Sequence, residues 1–188
     1  ANSPKAMAQA CATLNIPFVH LSTDYVFDGT GEEPWQPKDA TKPQNAYGRS
    51  KQKGEDSIRS VGSTYGILRT SWVVSSHGTN FVKAMLNLSE NRDTLSLVAD
   101  QIGGPTPAKD IAKACLQIVE QLKQEPSKSG TYHFSGTEDV SWADFAKEIF
   151  QQTGRSVNIL PIPTSEYPTP AVRPLNSRLN CSKTQEVF

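Results

Sequence analysis

Tyr47 and Lys51 stand four residues apart in Ala46-Tyr47-Gly48-Arg49-Ser50-Lys51, a short distance after a hydroxyl cluster, Ser22-Thr23-Asp24-Tyr25. On a helix, residues four apart lie one above the other. A free phenol has a pKa of about 10 and is a poor proton shuttle at neutral pH. An ammonium beside it favours the phenolate and lowers that value. A phenol tuned in this way can donate a proton to an alkoxide as hydride reaches a carbonyl carbon. A hydroxyl from Ser22 or Thr23, at the end of a neighbouring strand, would orient the carbonyl oxygen. The same spacing also describes an ordinary surface Tyr/Lys pair. What favours the chemistry is the strand "FVHLSTD" just upstream, which delivers its hydroxyls where α/β sheets place their sites.

The elements that must hold these groups alternate. Ser3 to Leu14 reads as a helix, with Ser3 as cap, Pro4 in the first turn and a face of alanines. Ile16 to Ser22 is a short apolar run with the look of a buried parallel strand. Gly29, Gly31, Pro34, Pro37 and Pro43 mark a long loop, and loops of that length are more often functional than idle. Helix returns from Ala46 to about Ser60. Tyr65 to Val74 is the next strand, Asn80 to Asn91 a helix with Phe81, Met85 and Leu88 on one stripe, and Leu95 to Asp100 a strand. Ala108 to Gln124 is a helix, Gly130 to Gly136 a strand, and a further helix runs from a cap at Ser141 to Gly154. From Val157 the chain is rich in Pro, Thr and Asn. The alternation predicts an α/β fold, a partial Rossmann-like doubly wound parallel sheet. Such domains normally open with a strand feeding a Gly-rich phosphate loop. This chain opens with a helix and has no Gly-x-Gly-x-x-Gly spacing, so it is expected to be a piece of a longer domain.

Composition narrows the class. Lys+Arg and Asp+Glu both number 19 among 188 residues, and this balance argues against nucleic acid or an acidic membrane as partner. No run approaches the roughly 20 apolar residues of a membrane span. Cys11, Cys115 and Cys181 are widely separated and odd in number, the pattern of reduced thiols in a cytoplasmic protein. No Cys or His spacing suggests a metal.

The segments "STDYVFDG", "YGRSK", "RTSWV", "DQIGGPT" and "YPTPAVRPLNSRLN" occur in an order that resembles the extended short-chain dehydrogenase/reductases, and within them the family of dTDP-4-dehydrorhamnose reductases. The first two are shared with sister families; "RTSW" with "RPLNSRLN" is more specific. The resemblance covers essentially the whole chain. It implies NADPH (or NADH) as cofactor and a nucleotide sugar as small-molecule substrate, the C4 carbonyl of dTDP-4-dehydro-L-rhamnose being reduced to give dTDP-L-rhamnose. It also implies that about 1–75 and 92–136 form the sheet and helices of the core, and that about 76–91 and 137–188 form a small substrate lobe. Two other readings share these motifs: a non-catalytic partner such as the regulatory subunit of methionine adenosyltransferase, and an epimerase or dehydratase acting on another nucleotide sugar.

Residue by residue, the resemblance makes Thr23, Tyr47 and Lys51 the catalytic group. Tyr47 is the proton donor, Lys51 lowers its pKa and holds the nicotinamide ribose, and Thr23 bonds the substrate with Asp24 and Tyr25 beside it. Ser22, Thr70 and Ser71 fall on the cofactor side. Trp72 is read either as core packing or as an apolar wall against the deoxysugar ring. Asn80 is either a plain helix cap or part of a helix start facing the diphosphate. Arg173 and Asn176 either hold the diphosphate, Arg173 through forked charge-assisted bonds, or belong to a solvated loop. Arg69 and His20 read as structural, His20 as a satisfied core residue, and His77 and His133 carry no signal. Relatives that dimerise around a metal use a carboxylate near the "GPT" turn; here Pro107-Ala108-Lys109 precedes Asp110, which argues against a metal-bridged dimer.

Overall fold

The strand that ends in the hydroxyl cluster lies in a parallel sheet covered by helices on both faces. In a computed structural model describing residues 2–188, helix α1 (Asn2–Thr13) leads into β1 (Phe18–Thr23), a single 3-10 turn at Asp24–Val26, and, after the long loop, α2 (Ala46–Arg59) and β2 (Tyr65–Thr70). Next come β3 (Val73–Val74), α3 (Phe81–Leu88), β4 (Thr94–Val98), β5 (Ile102–Gly103), β6 (Thr106–Pro107) and α4 (Ala108–Gln124). The chain finishes with β7 (Gly130–His133), β8 (Val140–Ser141), α5 (Trp142–Gln152), β9 (Asn158–Ile162), β10 (Asn176–Ser177) and α6 (Ser182–Val187).

β1, β2 and β7 form a parallel sheet with β2 in the centre. Successive side chains of a strand point to opposite faces, and β2 is buried on both. Ile67 packs with Ala8 of α1 and Ile58 of α2. Leu68 packs with Ile111, Ile118 and Leu122 of α4 and with Tyr132 of β7. The alanines expected to form the packing face of α1 do not: Ala6, Ala10 and Ala12 are exposed and only Ala8 is buried, because the helix touches the sheet and α2 along a narrow stripe. The glycine of β2 does answer a close approach. A Cβ at Gly66 would lie 2.8 Å from Ile118 of α4. The expected doubly covered parallel arrangement is therefore present, with helices α1 and α2 on one side and α4 on the other.

A second layer group holds α3, β4, α5 and β9. β4 pairs in parallel with β9 along its whole length, and Met85, Leu95, Ala146, Ile149 and Phe150 form their common core. The Pro-, Thr- and Asn-rich segment after Val157, for which no element is expected from the sequence, supplies strand β9. One expectation is corrected. Residues 94–98 do not join the central sheet but pair with β9 in a separate one. The physical reason is visible in "TLSLV": Thr94 and Ser96 are exposed and Leu95 is buried, the alternation of a half-buried strand rather than the continuous apolar run of one covered on both faces.

The strand read as Tyr65 to Val74 breaks in two. Trp72 adopts φ +46° between β2 and β3, a left-handed conformation uncommon for a bulky residue. Short strands tie the remaining segments together: β10 pairs in parallel with β5, β5 antiparallel with β8, and β3 in parallel with β6. Among the described residues no helix is long and apolar enough to cross a membrane, and no group of three or more His, Cys, Asp or Glu is placed to hold a metal ion.

Candidate active site

β1 and β2 run in register, Thr23 opposite Thr70, so their C-terminal ends present hydroxyls at the same level. Thr23 closes β1 and caps the 3-10 turn: its Oγ1 accepts from the Tyr25 amide at 3.2 Å and donates to Asp24 Oδ1 at 2.9 Å. α2 starts beside this turn. Asn45 caps it, Oδ1 accepting from the Gly48 amide at 2.9 Å, while Asn45 Nδ2 donates to the Val172 carbonyl at 2.9 Å. Gly48 is needed for the approach, since a Cβ there would lie 2.1 Å from the Tyr25 carbonyl oxygen. The contact brings Tyr47 edge-on to Tyr25, ring centroids 5.6 Å apart, and leaves Tyr47 54% exposed. One turn on, Lys51 donates from Nζ to the Leu21 carbonyl at 2.6 Å, which ties the helix to β1. Burial lowers the Lys51 pKa, against a smaller upward pull from Glu55.

Beneath Lys51, Glu55 is fully buried (0% exposed). It accepts from Arg69 Nε at 2.9 Å, Arg69 Nη2 at 2.7 Å, Arg59 Nη2 at 2.7 Å and Ser22 Oγ at 2.5 Å. Burial acts to raise its pKa, but the bonds and charge of Arg69, with Ser22 and Arg59, outweigh it and hold Glu55 below the usual carboxylate value. Arg69 is therefore structural, as its sequence position suggests; it also lies over the Phe27 ring at 4.9 Å. The Ser22 hydroxyl hydrogen is committed to Glu55. This corrects the expectation that Ser22 offers it to a carbonyl or cofactor, although the residue borders the cleft.

The cleft above these elements has a volume of about 560 Å³. Ser22, Thr23, Asp24 and Tyr25 line one side, and Asn45, Ala46 and Tyr47 another; Thr70 to Val73 follow, with Ala171 and Arg173 from the C-terminal segment. The structure thus brings together Thr23, Asp24, Tyr25, Tyr47, Thr70, Ser71, Trp72 and Arg173. The Thr70 hydroxyl is buried with no partner, an open hydrogen-bonding position beside Thr23 that a bound group can fill. Ser71 points its hydroxyl towards the Gly104 carbonyl at 3.5 Å. Trp72 serves both of its readings: it lines the cleft, and its ring stacks on Trp142 at 3.5 Å.

Two expected binding residues are elsewhere. Asn80 is a helix cap: Oδ1 accepts from the Lys83 amide at 3.3 Å and Nδ2 donates to the Ser75 carbonyl at 2.6 Å. Asn176 is 1% exposed. Its Nδ2 donates to the Thr30 and Glu33 carbonyls and its Oδ1 accepts from Arg178, so its amide pins the long loop to β10 and has nothing left for a diphosphate. Asp24 borders the cleft, yet its carboxylate faces inward to Thr23 and Ser177. Burial pushes its pKa up to about 6, against the hydrogen bonds of Ser177 and Thr23. His20 is not satisfied: its Nε2 is buried without a partner, and burial, aided by Lys51, lowers its pKa to about 4.

Sequence reasoning missed Glu55, Asn45, Trp142 and Ser177. Glu55 carried a signal, being one turn beyond Lys51 on the same face; Ser177 carried none, because its partner is 153 residues away. A larger groove of about 900 Å³ between α4, α5 and α6 holds none of the residues read as catalytic. We place the site in the smaller cleft because the phenols, hydroxyls and the unpartnered Thr70 converge there.

Comparison with known proteins gives the family. The model of the RmlD substrate binding domain matches residues 1–188. A dTDP-4-dehydrorhamnose reductase of Sinorhizobium fredii is 47% identical over 98% of this chain and 64% of that protein, and one of Salmonella typhimurium is 41% identical over 100% and 65%. A crystal structure of dTDP-4-dehydrorhamnose reductase from Bacillus anthracis in complex with NADP superposes with a TM-score of 0.90 at 36% identity, covering 99% of this chain and 64% of that one. The chain thus spans about two thirds of the length of these relatives, just under it in each case. With residues 1–188 matched, the chain belongs to the RmlD substrate-binding-domain family.

Proposed function

We propose that this chain carries the proton-donating and substrate-holding part of an NADPH-dependent reductase that converts the C4 carbonyl of dTDP-4-dehydro-L-rhamnose to the alcohol of dTDP-L-rhamnose. The observation that carries the reading is the convergence on one cleft of Tyr47, at the start of α2, with Thr23 and Thr70, paired across β1 and β2. Lys51 stands one helical turn behind Tyr47. The reductase names of the relatives and the NADP bound in the Bacillus anthracis structure support it.

The residues fit the nicotinamide end of the cofactor: Thr70 offers an unpartnered buried hydroxyl and Lys51 an ammonium for the ribose. When bound, NADPH supplies a hydride. Tyr47 gives its phenolic proton to the carbonyl oxygen as that oxygen gains charge, which is general acid catalysis. Lys51 stabilises the phenolate left behind by its positive charge. Trp72 presents an apolar face to the deoxysugar ring. Arg173, at the cleft edge, balances the charge of the diphosphate.

The test is turnover by the full-length protein that contains this chain, supplied with dTDP-4-dehydro-L-rhamnose and followed by loss of NADPH absorbance. Consumption with that sugar and not with other nucleotide sugars is expected. Equal activity on a panel of 4-dehydro sugars, or none on any, would overturn the assignment.

A further inference from the structure

Trp72 is the strained point of the cleft wall. Its φ of +46° puts a bulky residue in the left-handed region, and such strain persists only where the surroundings enforce it. Three contacts do so. The Trp72 carbonyl accepts from the Thr106 amide at 3.0 Å. The indole lies against Gly103, where a Cβ would come within 2.8 Å of Trp72 Cε2. The third contact is the Trp142 ring, stacked on it with centroids 3.5 Å apart and planes 8° from parallel.

Trp142 is itself held in place. It opens α5 directly after Ser141, whose Oγ accepts from the Asp144 amide at 3.0 Å. Phe81 of α3 packs on it with centroids 4.5 Å apart. An indole N–H can only donate, and this one donates to Gln101 Oε1 at 3.1 Å. That bond settles which way the Gln101 amide faces. Its Nε2 donates to Thr164 Oγ1 at 3.1 Å, and Thr164 Oγ1 donates to Asp100 Oδ1 at 2.6 Å. Gln101 is buried, and neither it nor Trp142 borders the cleft. Whatever they contribute to a ligand there passes through Trp72.

We infer that Trp142 and Gln101 are positioning residues that lock the Trp72 indole in its left-handed geometry, so that the apolar wall met by the sugar ring is set in advance from α5 and the Asp100–Thr164 turn. This rests on the reductase reading of the cleft. A wall fixed before binding spares the ligand the cost of ordering a side chain. The effect therefore falls on affinity for the sugar and not on the proton transfer, which belongs to Tyr47.

A double-mutant cycle in the full-length protein tests the link. Trp142→Leu is expected to raise the KM for the nucleotide sugar about fivefold, the scale of one aromatic pair, with kcat and the KM for NADPH within about twofold. Trp142→Phe, which keeps a ring, is expected to recover part of the loss. In a Trp72→Ala background, Trp142→Leu is expected to change the sugar KM less than about twofold, because residues in contact are not additive. Equal losses in both backgrounds, or a loss falling on kcat, would make Trp142 merely structural and overturn the proposal. A second measurement needs no turnover. Indoles stacked this closely couple their electronic transitions, which circular dichroism reads as a pair of bands of opposite sign. The pair is expected in the wild type, lost in Trp72→Phe and in Trp142→Phe, and weakened in Gln101→Leu. No such pair in the wild type, or one unmoved by Gln101→Leu, would overturn the lock. The expected spectra in a protein with no reductase turnover would keep the lock and overturn the reaction assigned to the cleft.

Discussion

Two buried carboxylates flank the end of β1, and they are held in opposite ways. Glu55 has two guanidinium groups and a serine around it, which hold its pKa below the usual carboxylate value. Asp24 has two hydroxyls and no cation bonded to it, and burial lifts its pKa to about 6. The first locks α2, β1 and β2 together beneath Lys51. The second borders the cleft and joins Thr23 to Ser177 of β10. Charge compensation is strong where helix and sheet are locked together and weak at the cleft.

The largest expected effect comes from breaking the strong centre. Arg69→Leu leaves Glu55 buried beside a single half-exposed Arg59, and removing one partner of a buried pair costs about 3–5 kcal/mol. Urea unfolding should show it as a lowered midpoint with an unchanged slope.

The two centres also differ in the sign of their pH dependence. Glu55 has a lowered folded pKa, so its contribution is present above its unfolded value and is lost as pH falls through the folded one. Asp24 has a raised folded pKa and works in the other direction. Between pH 3.8 and about 6 the folded state holds a proton that the unfolded state has released, so stability falls as pH rises through that window. The size is on the order of 2–3 kcal/mol. His20 and His133, lowered to about 4 and about 3, oppose this. Their protons are lost in the folded state before the unfolded one, so stability rises with pH up to their ordinary value of 6.5. The Asp24 part is therefore read from the difference between wild type and Asp24→Asn. That difference should shift in favour of Asn as pH goes from 4 to 6.5 and then stay level. A pH-independent difference would show that burial does not raise the Asp24 pKa and would remove the contrast drawn here.

A smaller effect sharpens the contrast. Ser22→Ala removes one of four bonds to Glu55 and should cost about 1.5 kcal/mol, the lower range for a hydrogen bond to a charged group, since both guanidiniums remain. Thermal melts at neutral pH resolve that size. A loss as large as that of Arg69→Leu would mean that the serine, not the guanidinium, anchors the carboxylate.

The contrast also explains what could be read from sequence. Tyr47, Lys51 and Thr23 were legible because their relations are local: one helical turn, and the end of one strand. The core sheet was legible from the alternation of helix and strand along the chain, α1-β1-α2-β2. The roles of Asn176 and Asp24 were not. Their partners lie 146 and 153 residues away, brought close by β10 and β5, two-residue strands with no periodicity to recognise. The placement of β4 outside the central sheet is written in the alternation of "TLSLV", whose Thr94 and Ser96 are exposed. Trp72 was anticipated at a strand end. Its left-handed turn and its stacking on Trp142, 70 positions later in sequence order, were not.

The central claim is that Tyr47 delivers the proton in a cleft built on a Glu55-anchored scaffold. Tyr47→Phe keeps the ring and its contact with Tyr25 and removes only the hydroxyl. In the full-length protein, with dTDP-4-dehydro-L-rhamnose and NADPH, kcat should fall about 100-fold or more, the range of a general acid, with KM for the sugar little changed. A variant that kept near-normal kcat would contradict the account and place the proton donor elsewhere.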